Sequence, residues 1–293
     1  MKRWHPWRLA LLLLPKRGLT RLAGRIFRSP LSKPLIPVFI QLYGIDAAEA
    51  ASPLHAYRSL AEFFARRVKR KGIAHANTEY FTPIYSPVDG QIAEVGQIHA
   101  NHAIQAKGSS YSISALLASA TSYFESGTFV TIYLSPADYH RVHIPIAAHV
   151  KRIVHVPGTL FPVNRLGTQY MDALFTRNER IVTWFVREEC EFAMVKIGST
   201  IVGSVQIDPS FGIVKAKQRQ RGNPSLLWEG DRVLEAFDEY AWFEFGSTVI
   251  LLFPPNCVSL EVKKGERVKA FDVIGRWQLS DRDNVEPLQR DGS

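Results

Sequence analysis

From residue 81 onward the chain is a succession of short runs rich in β-branched and aromatic residues, each cut off by Gly, Pro or Asp. Such runs occupy residues 128–134, 150–156, 181–187, 192–197, 248–253 and 258–262. Runs of this length between turn formers suit strands. Residues 112–120 read as a single helical insert. Upstream, Ser59 and Glu62 form a capping-box pair, and Leu60, Phe63 and Phe64 share one face, which predicts a helix around residues 56–69. The fold class is therefore α+β: a mostly antiparallel β body behind an α-helical, amphipathic N-terminal region. Apolar residues make up 46% of the chain and charged residues 22%, a balance that excludes a disordered or collagen-like chain. The 293 residues suffice for one large domain or two small ones, and no clean linker splits them. The stretch 215–222 predicts a mobile loop, and 280–293 a polar tail.

The net charge of +9 has a single source. Residues 1–45 carry nine basic side chains and no acid, while residues 46–293 balance 27 basic against 27 acidic ones. Residues 9–14 are an unbroken apolar run, far short of the roughly 20 residues that span a bilayer. Pro15-Lys16-Arg17 follows it, not a small-residue cleavage site. Leu19, Leu22, Ala23, Ile26 and Phe27 then fall on one helical face, with Arg21, Arg25 and Arg28 on the other. A second apolar stretch covers 35–42, and Trp4 and Trp7 suit an interfacial position. This pattern predicts that residues 1–45 are a peripheral membrane-associating arm. Arg21, Leu22, Arg25, Ile26 and Phe27 would contact an anionic membrane surface. Nucleic-acid arms are seldom this rich in Leu, Ile and Phe, so no nucleic-acid partner is expected.

Four local features carry candidate chemistry. Pro87-Val88-Asp89-Gly90 is a turn ahead of a strand, where Asp is an ordinary turn former. Asp138-Tyr139-His140-Arg141-Val142-His143 follows the strong run 128–134. Its two histidines lack a nearby third ligand, so a base or proton donor fits better than a metal site. Gly-Ser-Thr occurs twice, at 198–200 and 246–248. The triplet is common where a turn enters a strand. It also permits a Ser hydroxyl to attack the carbonyl before it, since Gly puts no Cβ in the way, and a neighbouring base accelerates that attack. With Asp and His available, an Asp–His–Ser relay can be assembled. Residue types alone leave an ordinary serine hydrolase open, although no Gly-x-Ser-x-Gly elbow is present. Lys264-Gly265-Glu266-Arg267-Val268 through Val273-Ile274-Gly275 resembles half of a lipoyl or biotin carrier barrel, without a Lys in hairpin-tip context. Cys190 and Cys257 lie far apart, with no metal-ligand spacing or disulfide framework, which predicts a reducing compartment.

Taken in order, these segments resemble the bacterial, pyruvoyl-dependent, membrane-associated phosphatidylserine decarboxylase proenzymes from about residue 8 to about residue 275. The matching segments are Leu14-Pro15-Lys16, Leu19-Thr20-Arg21-Leu22-Ala23-Gly24, Phe63-Phe64-Ala65-Arg66, Pro87-Val88-Asp89-Gly90 and Ile104-Gln105-Ala106-Lys107-Gly108. They continue through Asp138–His143, Val156-Pro157-Gly158 with Leu160-Phe161, Phe175-Thr176-Arg177-Asn178-Glu179-Arg180, and Phe245-Gly246-Ser247-Thr248 leading to Phe253-Pro254. Each is weak alone; their order and spacing are specific. The family's Leu-Gly-Ser-Thr has Phe245 in place of Leu here. The resemblance selects the second Gly-Ser-Thr, because cutting before Ser247 leaves a short C-terminal chain.

The resemblance implies that Asp89 orients His143 and that His143 deprotonates Ser247. The Ser247 oxygen would then attack the Gly246 carbonyl, splitting the chain into residues 1–246 and 247–293 and leaving a pyruvoyl cofactor where Ser247 stood. The serine amine of phosphatidylserine would condense with it as a Schiff base. CO2 would leave, His140 would protonate the remaining carbon, and hydrolysis would release phosphatidylethanolamine. No metal is implied. The implied partners are phosphatidylserine, an anionic membrane surface and the protein's own cleaved chain in a heterodimer, with a homo-oligomer open. The implied location is peripheral, on the cytoplasmic side of the cell membrane.

Overall fold

The computed structural model describes residues 16–69, 81–106, 109–199, 205–213, 222–243 and 247–278. Residues 1–15 with Trp4 and Trp7, the greater part of 215–222, the tail 280–293, and Phe245 and Gly246 lie outside them. Three helices open the chain: α1 (Lys16–Arg28), α2 (Leu35–Tyr43) and α3 (Leu60–Phe64). Then come β1 (Thr82–Tyr85), β2 (Gly90–Gln97), β3 (His102–Ala106), β4 (Ser109–Ser112), α4 (Ile113–Leu117), β5 (Thr128–Leu134), β6 (Arg141–His143) and β7 (Ala148–Val156). Two short helices follow, α5 (Arg165–Tyr170) and α6 (Leu174–Arg177), then β8 (Arg180–Arg187), β9 (Cys190–Ile197), β10 (Gln206–Ile207), β11 (Ser225–Leu234) and β12 (Glu239–Trp242). The chain closes with β13 (Ser247–Phe253), β14 (Val258–Leu260), β15 (Arg267–Val268) and β16 (Val273–Trp277).

The expected antiparallel β body is present. Eight strands pair antiparallel in the order β11-β7-β8-β9-β13-β5-β2-β15. Two three-stranded sheets, β1-β16-β14 and β10-β12-β6, and the ribbon β3-β4 complete it. All seven residues of β13 are buried. Val249, Leu251 and Phe253 pack into one core with Val130, Ile132 and Val142. Ile250 and Leu252 pack into a second core with Phe129, Val182 and Trp184. A run without polar alternation is what a strand buried on both faces requires.

Several local expectations are corrected. The helix expected around residues 56–69 is only Leu60–Phe64: Ser59 caps it by accepting from Glu62 N at 3.3 Å, and Glu62 reaches back to Arg58 N at 2.7 Å. The helical insert is Ile113–Leu117, capped by Ser112. The two cysteines, read as unpaired, form a disulfide. The sheet removes their sequence separation, because β13 lies beside β9 with Leu252 opposite Ala193, three residues from Cys190. Pro254-Pro255-Asn256 then turns the chain back, with Asn256 in the left-handed region at φ +63°.

The N-terminal helices rest on a third core of Ile36, Ile45, Tyr57, Leu60, Phe63 and Phe64, with Phe27 and Phe39 against it. The buried Ser32 hydroxyl knits this region together, lying 2.8 Å from Phe27 O and accepting from Leu60 N at 2.9 Å. Phe27 is thus half-buried, while Leu22 and Ile26 of the same predicted face are exposed. The Arg21 side chain lies outside the described residues.

In the first core Lys196 is fully buried, donating to Thr183 Oγ1 at 2.6 Å and Tyr240 Oη at 2.7 Å. Burial pushes its amine well below the usual lysine range. An amine that the fold disfavours when charged costs stability increasingly as pH falls below the unfolded-state value. Lys196→Met should therefore raise Tm, by more at pH 6 than at pH 9; a pH-independent loss in thermal melts would contradict this reading.

Candidate active site

The β-sheet register gathers the candidate residues at one end of the large sheet. Tyr133, next to last in β5, lies opposite Gln91 of β2 on one side and opposite Thr248 of β13 on the other. Asp89, two residues before Gln91, and Ser247, one before Thr248, therefore flank the end of the same strand. Ser247 sits opposite Leu134. Gly90 between them is obligatory, since a Cβ there would lie 2.5 Å from Tyr133 O.

The chain leaving β5 supplies both histidines. His140 is fully buried and stacked on Phe64, with ring centroids 4.0 Å apart. Its Nε2–H donates to Ser135 O at 3.0 Å, and its Nδ1 has no hydrogen-bond partner among the described residues. Burial, followed by the charge of Arg66, pushes His140 down to about 3 against the opposing bond to Ser135, so the ring is neutral at physiological pH.

His143 is tied to the Asp89 turn by its own backbone, His143 N donating to Pro87 O at 2.9 Å. Its ring lies 2.7 Å from Phe237 O through Nδ1 and 2.8 Å from the Tyr139 hydroxyl through Nε2. A carbonyl can only accept, so Nδ1 carries the proton and Nε2 is the basic nitrogen. Asp89 is buried, with Oδ1 accepting from Ala270 N at 2.7 Å.

The Ser247 side chain has no exposed surface, and its Oγ has no hydrogen-bond partner among the described residues. The other triplet is different. Asn178 Nδ2 donates to Gly198 O at 2.9 Å, and Ser199 Oγ accepts from Val163 N at 3.3 Å. Ser199 is engaged in holding a loop, whereas the buried Ser247 hydroxyl holds nothing among the described residues.

Beside Asp89 opens a cavity of about 500 Å³ lined by Arg66, Asp89, Asp138, Tyr139, Arg267 and Lys269, among others. Asp138 pairs with Arg267, and Lys269 with Glu49 at 3.0 Å. Arg66 is buried and donates to Ala137 O at 3.0 Å. Sequence reasoning assigned no role to Tyr139, Phe237, Phe64 or Arg66. Phe64, Arg66 and Tyr139 lie in segments that carry the family resemblance, but the Phe237 carbonyl arrives from 94 residues away and leaves no local signal. Among the described residues, no three His, Cys, Asp or Glu side chains gather as a metal group.

The family model for phosphatidylserine decarboxylase matches residues 60–276. Among curated relatives, the phosphatidylserine decarboxylase proenzyme of Brevibacillus brevis is 38% identical, over 83% of this chain and 87% of its own. That of Nitrosospira multiformis is 41% identical, over 83% and 86%, and that of an Azoarcus species 40%, over 86% and 89%. With a matching family model and relatives of this similarity covering most of both chains, the chain belongs to the phosphatidylserine decarboxylase family.

Proposed function

We propose that this chain converts phosphatidylserine to phosphatidylethanolamine and CO2, using a pyruvoyl group made from Ser247 by cutting its own backbone after Gly246. The observation that carries the proposal is the buried Ser247 hydroxyl, without a hydrogen-bond partner among the described residues, at the end of the sheet where Asp89, His140 and His143 gather. A buried hydroxyl without a partner costs about 1–3 kcal/mol. Such a cost fits a residue that is to be chemically consumed. A serine hydrolase built on Ser247 would be expected to carry a Gly-x-Ser-x-Gly elbow, which the sequence lacks.

In this reading Asp89, His143 and Ser247 form the self-cleavage relay. His143 presents Nε2 as base, and the negative charge of Asp89 favours the imidazolium that forms. The Ser247 oxygen replaces nitrogen on the Gly246 carbonyl. Elimination frees the Gly246 carboxyl and leaves dehydroalanine, which takes up water and loses ammonia. A pyruvoyl ketone at position 247 would supply the carbonyl that takes up the amine of phosphatidylserine and the electron sink for loss of CO2. His140 handles the proton. Its open Nδ1 accepts one from the incoming ammonium and returns it to the carbon that CO2 leaves. Walls bearing both signs suit a headgroup that carries phosphate, carboxylate and ammonium.

The N-terminal region supports peripheral attachment. Leu22, Ile26, Leu31, Leu35, Val38 and Leu42 are all exposed, Leu31 to 89% and Leu42 to 73%. Arg25 and Arg28 end α1 on the same unit. Basic residues near an anionic leaflet contribute about 1 kcal/mol each. Among the described residues, no helix is long and apolar enough to cross a membrane.

Purified protein should release CO2 from phosphatidylserine vesicles, and Ser247→Ala should stay uncut and release none; a variant that still turned over would refute the proposal. The folded-state value of His140 lies below its unfolded value, so its contribution is intact above pH 6.5 and is lost as pH falls toward 3. The loss reaches up to about 1.4 kcal/mol per pH unit. His140→Gln should flatten the decline of Tm between pH 6.5 and 4 and abolish decarboxylation while leaving the backbone cut. Replacing Leu22, Ile26, Leu35 and Val38 together with Ser should weaken sedimentation with anionic vesicles at least tenfold; unchanged binding would remove the helices from the membrane contact.

A further inference from the structure

We infer that the Cys190–Cys257 disulfide is a covalent tether between the two chains that self-cleavage produces. This inference rests on the cleavage assigned above. The two cysteines are the only ones in the chain, and they stand on opposite sides of the Gly246–Ser247 bond. Cys190 opens β9, which belongs to the 246-residue fragment, and Cys257 follows β13, which belongs to the 47-residue fragment. The bond joins the fragments four residues beyond the last strand residue of β13, Phe253. The new chain end at Ser247 therefore keeps its place while the opposite end of the same strand is pinned.

The tether has a definite physical effect. The small fragment contributes β13 to the middle of the large sheet, β15 to its edge, and β14 and β16 to a second sheet. Losing it would strip a central strand from the fold. Without a cross-link, refolding after cleavage is bimolecular and depends on protein concentration. With one, the fragment rebinds at the high effective concentration of a short connection. Forming the bond removes two electrons and two protons from the thiols, which a small-molecule or protein disulfide takes up by thiol–disulfide exchange. Cys257 is only 5% exposed and Cys190 is half-buried, which limits the access of reducing thiols to the bond once it is made.

The tether also disguises processing. A cut and cross-linked molecule has gained one water and lost one ammonia, so it runs and weighs almost as the uncut 33.1 kDa chain does.

The test denatures the purified protein with a thiol-blocking alkylator and runs it with and without reductant. The expected result is one species near full mass without reductant and two fragments with it. Neither cysteine should be alkylated before reduction, and both should be afterwards. Two fragments in both lanes would overturn the tether and leave the cleavage standing. One species in both lanes would overturn the cleavage, and with it the tether. Cys257→Ser should cut normally but separate without reductant, and its recovery of activity after dilution from denaturant should become concentration-dependent. If that variant fails to fold, the alkylation pattern of the unaltered protein still decides.

Discussion

The structure depends on β13, a strand paired on both edges and buried on both faces, whose first residue is Ser247. Each fully buried large apolar side chain is worth about 1.5–3 kcal/mol, and β13 carries five in a row from Val249 to Phe253. Such a strand stays put when the backbone before it is severed. The proposed cut, 47 residues from the end of the sequence, would therefore not release the strand. The same burial removes water from Ser247, whose hydroxyl has no hydrogen-bond partner among the described residues, so the packing that secures the fold also isolates the atom proposed to react.

The rest of the site follows from register. Because β2 and β13 flank β5, the Asp89 turn and Ser247 come to one end of the sheet, and the chain leaving β5 delivers His140 and His143 there. The His143 backbone bond to Pro87 and the ring's contact with Phe237 O fix the imidazole from two sides. The neutral state of His140 has the same origin as the stability of the strand, namely exclusion of water, with Arg66 reinforcing it. A neutral imidazole with one open nitrogen can both take and give a proton within a single turnover.

Much of this was legible in the sequence. The runs at 128–134 and 248–253 are recovered as β5 and β13 to within a residue, because continuous apolar runs between turn formers mark strands buried on both faces. By contrast, β11 passes unnoticed: it is an edge strand interrupted by Glu229-Gly230-Asp231, with register shifts that hide its alternation. The Ser59–Glu62 cap located the start of α3, but nothing local announced its end at Phe64, where packing of Phe63 and Phe64 into the third core takes over. Motif residues were found, but their contacts were not: Tyr139, Phe237 and the Cys190–Cys257 bond are set by tertiary pairing. The local excess of positive charge was visible. What the fold added is that the apolar face of α1 divides, Phe27 turning to the core while Leu22 and Ile26 face outward.

The central claim is that Ser247 becomes the cofactor. The most direct measurement is the intact mass of the small fragment after reduction. A fragment of residues 247–293 that is lighter by one ammonia than the Ser-initiated peptide, with no free N-terminal amine, is the predicted result. A fragment with the full mass of the Ser-initiated peptide, or an uncut chain in an active preparation, would contradict it.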